Sequence, residues 1–258
     1  MIIMLDTKLD EASLIIAKRL QYPDLDINYY LSILDNFAYE FMDRLDALKV
    51  KEHKDVIDTL NYYLFEEEGF KGNSIDYYNP SNNYLNDVID NREGIPITLS
   101  IIYIEVGRRA GLDIKGINFP GHFIVRYQDL LIDPFNKGML LYKDDLCQLL
   151  YQIYEDRIGF DESFLQPIGN DIIIARLLRN LIHSYLDSYD YDKALTASNI
   201  LLSIHDDAEA FRDRGLVLYY KGDYSNALQD LLRYLEMEPE AYDMPDIMQI
   251  ILDMSDIE

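Results

Sequence analysis

The chain has one cysteine, Cys147, so no disulfide can close within it and no cysteine cluster can hold a metal. That suits a reducing, cytoplasmic setting. Histidine is scarce too, with 4 in 258 residues. His53 falls in the charged run KEHKD. His183 and His205 stand far apart, and neither HxH nor HExxH spacing occurs. Nucleotide-cradling glycine patterns are also missing, GFKGNS being only a glycine-containing loop. No metal and no cofactor is expected. Basic residues number 23 against 47 acidic ones, a net charge of −24. Such a field repels phosphate backbones and anionic bilayers, so neither nucleic acid nor membrane is the expected partner. It suits a basic protein or peptide, or serves only to keep an acidic chain in solution. Long apolar runs are lacking. LSIIYI ends at Glu105, far short of the roughly 20 residues that span a bilayer. The opening MIIMLDTKLDEA has neither the basic region nor the length of a secretory signal.

What is present is ample apolar material, 49% of the chain, enough for a core. It is arranged in three parts. Residues 8–90 carry helical spacing. Leu9, Ala12, Ile16 and Leu20 recur on one side, Pro23 interrupts, and a second run extends from Ile27 to Leu48. KDVIDTLNYYLFEEEGF predicts a third helix stopping at Gly69. KGNSIDYYNPSNN is loop by composition, and YLNDVID a short helix. In residues 91–165, Pro96 is placed to open a helix, since its missing N–H costs nothing in the first turn. Gly111 is placed to end that helix, and Leu99, Ile102, Tyr103 and Val106 make its buried face. The β-rich runs LDIKGINF, HFIVRY and LLIDPF follow, with MLLY as a small further strand and KDDLCQLLYQIY as a covering helix. Short connections make neighbouring strands antiparallel, hence α+β. The 22 tyrosines interleave with aspartate rather than with lysine or arginine, so they read as packing and peptide contacts, not base stacking.

Residues 170–258 are helical and repeat. SYDYDKAL (188–195) aligns with KGDYSNAL (221–228) at an offset of 33 residues, matching Asp190 to Asp223, Tyr191 to Tyr224 and Ala194 to Ala227. This is the period of tetratricopeptide repeats. Leu181, Tyr185, Phe211, Gly215 and Pro239 support it, while Asp206 and the missing tryptophan depart from it. A final helix is expected near 243–253.

His122 and Asp133 sit at the edges of two of the predicted strands, where a hairpin would bring them side by side. A thiol acyl-transfer site adds a cysteine at a helix N-terminus, where the dipole stabilises the thiolate. GIPITLSIIYIEVGRRAGL, GINFPGHFIVRY and LIDPFNKG resemble the transglutaminase-like superfamily, and most closely its bacterial SirB branch, in which such a core precedes tetratricopeptide repeats. The resemblance covers nearly the whole chain. It implies a mostly helical α+β fold: a papain-like core with N-terminal helices in 1–168 (core about 91–165), then repeat hairpins in 169–258. It assigns the family histidine to His122 and the family aspartate to Asp133. Gly94-Ile95-Pro96 falls on the family Gly-x-Cys, so Pro96 stands at the nucleophile position and offers no nucleophilic atom.

Each candidate has a plainer reading. His122 could hydrogen-bond within the core, and Asp133 could simply open a turn before Pro134. Cys147, beside Leu146, Leu149 and Leu150, reads as a buried, inert thiol. Thr98 and Ser100 could supply a hydroxyl nucleophile, or Thr98 could cap the helix. Arg92 and Glu93 could line the same cleft or form an exposed loop pair. Asn118 and Asn136 could orient a ligand or satisfy turns. Glu105 is expected in a structural ion pair. Two functions follow. One is a non-catalytic, cysteine-less transglutaminase-like protein, a pseudoenzyme binding a protein or peptide. The alternative is a hydrolase or acyltransferase using His122 and Asp133 with an atypical nucleophile.

Overall fold

The structure is a computed structural model and describes residues 8–255. Most of the N-terminal run weighed above as a signal lies outside the described residues. The chain divides into two compact units, 8–174 and 175–255. The fold is mostly helical α+β.

The first unit opens with α1 (Leu9–Leu20), α2 (Ile27–Leu48) and α3 (His53–Asn61). Asp26 caps α2, its side chain accepting from the Tyr29 N–H. The sequence predicts one helix through the third segment. Instead, residues Tyr62–Glu67 widen into a π-helical turn before Gly69, whose φ of +78° turns the chain. That widening follows Asn61. The Asn61 amide donates to the Gly138 carbonyl at 2.9 Å and accepts from the Tyr103 hydroxyl at 2.8 Å. Tertiary bonds of this kind leave no mark on helical periodicity.

The predicted loop contains a two-residue strand, β1 (Lys71–Gly72), paired in parallel with β2 (Glu93–Gly94), and a 3₁₀ turn at Pro80–Asn83. Between them lies α4 (Leu85–Asn91). Pro96 then begins α5 (Pro96–Arg109). The sequence predicts one buried face for α5, but every residue from Pro96 to Gly107 is buried. The reason is position: α1, α2 and α4 pack on α5, and so does the sheet. A helix enclosed on all sides has no polar stripe to keep. Its one acid, Glu105, is 2% exposed and paired with Arg108 and Arg109, each at 2.7 Å.

The sheet is β3 (Lys115–Ile117), β4 (Ile124–Tyr127), β5 (Leu130–Asp133) and β6 (Met139–Leu141), antiparallel in sequence order. Val125 faces Ile132, and Asp133 faces Met139 across the next ladder. One side is covered by α6 (Lys143–Tyr154), where Leu146 and Leu150 join Ile117, Phe119, Ile124 and Leu141. Cys147 is exposed. This corrects the buried reading. Successive helical residues are turned by about 100°, so Leu146 and Leu150, four apart, share the inner face and Cys147 does not.

The helix α7 (Asn170–Asp187) contains the division between units. The second unit continues with α8 (Tyr191–Ile204), α9 (Ala208–Lys221), α10 (Tyr224–Met237) and α11 (Met244–Ser255). The repeated Asp-Tyr pairs act as their spacing predicts. Asp190 and Asp223 cap α8 and α10, accepting from the Lys193 and Asn226 N–H groups. Ala194 and Ala227 are fully buried. Gly215 permits the α9–α10 approach, since a Cβ there would stand 2.7 Å from Leu231. Ala227, Leu231 and Tyr234 form a core with Ile247, Ile251 and Met254 of α11.

Candidate functional site

The sheet places the two acid–base residues. Gly121, at φ +70°, turns the chain ahead of β4, and a Cβ there would meet Ile153 at 2.7 Å. His122 follows, 8% exposed. Asp133 ends the neighbouring strand at 2% exposure. Antiparallel pairing of β4 and β5 brings both to the same end of the ladder, and His122 Nε2 lies 2.9 Å from Asp133 Oδ2.

Asp133 makes the turn and the pair together. Its Oδ1 accepts from the backbone N–H of Phe135 at 3.0 Å and of Asn136 at 3.3 Å, capping the 3₁₀ turn Pro134–Asn136. Its Oδ2 accepts from the Asn136 amide at 2.7 Å as well as from His122. Four donors thus converge on one carboxylate. With the carboxylate oxygen as acceptor in this bond, Nε2 is the donor and carries an imidazole proton. The bond to Asp133 is the one hydrogen bond of the His122 imidazole among the described residues, the His122 backbone N–H donating to the Phe119 carbonyl at 3.0 Å. The Phe135 ring lies edge-on to the imidazole at 6.2 Å, and Tyr77 lies edge-on to Phe135.

Asn136 therefore joins the pair, although its own side chain is largely exposed. Asn118 is exposed on the segment between β3 and His122. The other candidates stand elsewhere. Thr98 is fully buried. Its hydroxyl donates to the Asn82 carbonyl at 2.8 Å and accepts from the Ile95 N–H at 3.1 Å. It caps α5 from inside the core and lines no cleft. Ser100 is also fully buried, and its hydroxyl has no hydrogen-bond partner among the described residues. Neither hydroxyl is bonded to His122. Arg92 ends α4 in the left-handed region at φ +60°, bound to Glu68 Oε2 at 3.0 Å and stacked over Phe37 and Phe70. It joins α2 to the π-helical turn. Glu93 pairs with Lys71 at 2.8 Å across β1 and β2. Pro96 is buried at the first position of α5.

Sequence reasoning missed Phe135 as the imidazole's aromatic neighbour and Asn61 as the link from Tyr103 of α5 to the Gly138 carbonyl. Phe135 belongs to the Asp-Pro-Phe string and could have been noticed. Nothing near Asn61 in the sequence announces its reach to Gly138. Among the described residues no group of three or more His, Cys, Asp or Glu is disposed to hold a metal. No helix of the described residues is long and apolar enough to cross a membrane.

A family model described as transglutaminase-like superfamily matches residues 28–179, and one described as tetratricopeptide repeat matches 181–251. The UPF0162 protein of Xylella fastidiosa (strain 9a5c) is 35% identical over 251 residues, covering 94% of this chain and 88% of that protein. That of Vibrio cholerae is 26% identical over 182 residues, 68% of this chain and 67% of its own length. Human F-box only protein 21 is 35% identical over 118 residues, 41% of this chain but 19% of that protein. The chain belongs to the transglutaminase-like superfamily, with tetratricopeptide repeats following its core.

Proposed function

We propose that this chain is a non-catalytic member of the superfamily, of the SirB type, that binds a protein or peptide. The observation that carries the proposal is that Pro96 starts α5 while the His122 imidazole makes its one hydrogen bond among the described residues to Asp133. The imidazole has a partner to orient it and, among the described residues, no thiol or hydroxyl hydrogen-bonded to it. General acid–base help without a nucleophile is worth about 10²–10⁴-fold, well below what acyl transfer needs. The repeats supply the binding element, as paired helices stacked in this way present a side-chain surface to a peptide. The exposed thiol of Cys147 suits a reducing, cytoplasmic setting.

The intact His122–Asp133 pair is the one observation favouring a hydrolase or acyltransferase. The test is a panel of amide, ester and glutamine substrates offered to the wild type and to His122→Ala. Equal background rates are the expected result. Turnover that the variant loses would overturn the non-catalytic reading, and Cys147→Ser would then tell whether the exposed thiol is the nucleophile.

A further inference from the structure

The repeat unit holds a pocket of about 440 Å³ lined by His183, Leu186 and Asp187 of α7, Tyr189 and Tyr191 after it, and Leu216 and Tyr220 of α9. Its tyrosines are arranged as walls. Tyr191 and Tyr220 are nearly parallel, 10° apart with centroids 6.3 Å apart, and Tyr189 stands across Tyr191 at 82°. Tyr189 is 78% exposed and Tyr220 53% exposed, so packing does not account for either ring.

Tyr189 is also strained. Its φ is +61°, in the left-handed region. The equivalent place in the following repeat, 33 residues on, is Gly222 at φ +83°. Glycine takes that conformation freely, whereas a tyrosine must be held in it. The turn closes the end of α7, with the Tyr189 N–H donating to the Leu186 carbonyl at 3.1 Å and the Asp190 N–H to the Tyr185 carbonyl at 2.9 Å, and it leaves the Tyr189 ring on the surface.

The charges say what enters. Asp190 is paired with Lys193 at 3.2 Å, and Asp192 is paired with Lys221. Asp187, which lines the pocket, has no ion pair among the described residues. The lining contains no lysine or arginine. Electron-rich ring faces beside an unpaired carboxylate attract a cation. The planar guanidinium suits them best, since it lies flat on a tyrosine while its N–H groups point at a carboxylate. The chain's net charge of −24 draws a basic ligand toward it. We propose that this pocket binds an arginine side chain of a basic peptide. The inference rests on the reading of the chain as a peptide-binding protein and names its ligand.

The probe is a short glycine-serine peptide with one central arginine, titrated into the full chain and followed by amide NMR. A second peptide replaces arginine with citrulline, which keeps the shape and loses the charge. Saturable shifts are expected at Asp187, Tyr189, Tyr191 and Tyr220 with the arginine peptide alone. Tyr189→Gly should weaken binding about tenfold. Its melting temperature should hold or rise, since relief of left-handed strain opposes the entropy glycine adds to the unfolded chain. Tyr220→Leu, which keeps apolar volume without a ring, is the second variant and should weaken binding similarly. Asp187→Asn should weaken it about threefold, with the difference fading at high salt. Equal binding of the citrulline peptide, shifts centred elsewhere, wild-type affinity in both tyrosine variants, or no binding would each overturn the pocket. The peptide-binding reading falls on a different result, no saturable binding of any basic peptide from a mixed-sequence panel, whereas binding of such peptides with shifts centred away from Tyr189 and Tyr220 overturns this pocket alone.

Discussion

Replacing Arg109 should cost this protein several kcal/mol, about 3–5. Its guanidinium is 12% exposed and bonds to three carboxylates: Asp35 at 2.7 Å, Glu105 at 2.7 Å and Asp10. These are not equal. Asp35 is 70% exposed, and a pair of that kind contributes about 0–1 kcal/mol. Glu105 is buried but keeps Arg108 at 2.7 Å when Arg109 is gone. Asp10, 1% exposed, has Arg109 as its one ion pair among the described residues, and its other bond is the Glu11 N–H at 2.8 Å. Arg109→Ala therefore strands one buried carboxylate between α1 and α5, at about 3–5 kcal/mol. For a chain of this length that lowers the melting temperature by about 6–20 °C. Far-UV circular dichroism during urea unfolding measures it, with Asp10→Asn, Arg109→Met and Asp10→Asn/Arg109→Met completing a cycle. The double variant should recover about 2 kcal/mol relative to the sum of the single changes, since no charge is then left alone. A loss below about 1 kcal/mol for Arg109→Ala, or strict additivity in the cycle, would refute the reasoning.

Gly215→Ala should destabilise by about 1–3 kcal/mol, because its Cβ would stand 2.7 and 2.8 Å from Leu231 atoms. Were α9 open at that position, alanine would stabilise it instead, so the sign in a urea melt decides. Thr98→Val should cost about 1–2 kcal/mol by removing the α5 cap and leaving the Asn82 carbonyl without its donor. Burial pushes the Tyr63 and Tyr103 hydroxyls well above the usual tyrosine range, and burial with the Asp243 hydrogen bond pushes Tyr234 up to about 12. A folded pKa above the unfolded one means stability fully present below about pH 10 and lost as pH rises through the folded values. Absorbance at 295 nm, free of tryptophan in this chain, should show exposed tyrosines ionising first. The buried ones should follow only with unfolding. A single reversible titration of all 22 at ordinary pKa would contradict this.

The local chemistry of this chain was legible in its sequence wherever neighbours in sequence are neighbours in space. Pro96 opens α5 because its ring presets the first turn and needs no acceptor. The repeated Asp-Tyr pairs open α8 and α10 because an aspartate cap acts within a few residues. Alternation and short turns sufficed for β3 to β6 to pair in order, and so for His122 to reach Asp133. What periodicity could not state is what lies on the far side of an element. It assigned α5 one buried face, whereas enclosure by helices and sheet buries the helix all round. It put Cys147 inside with its leucine neighbours, and the packing of α6 turned it out. Thr98 became a core cap rather than a cleft residue because its acceptor, the Asn82 carbonyl, comes from another turn. The π-helical turn likewise sits beside bonds from Asn61 to Gly138 and Tyr103, which are distant in sequence. Sequence determines which groups can cap, turn and alternate. Only the tertiary structure decides which of them share a hydrogen bond, since that depends on distances no local pattern contains.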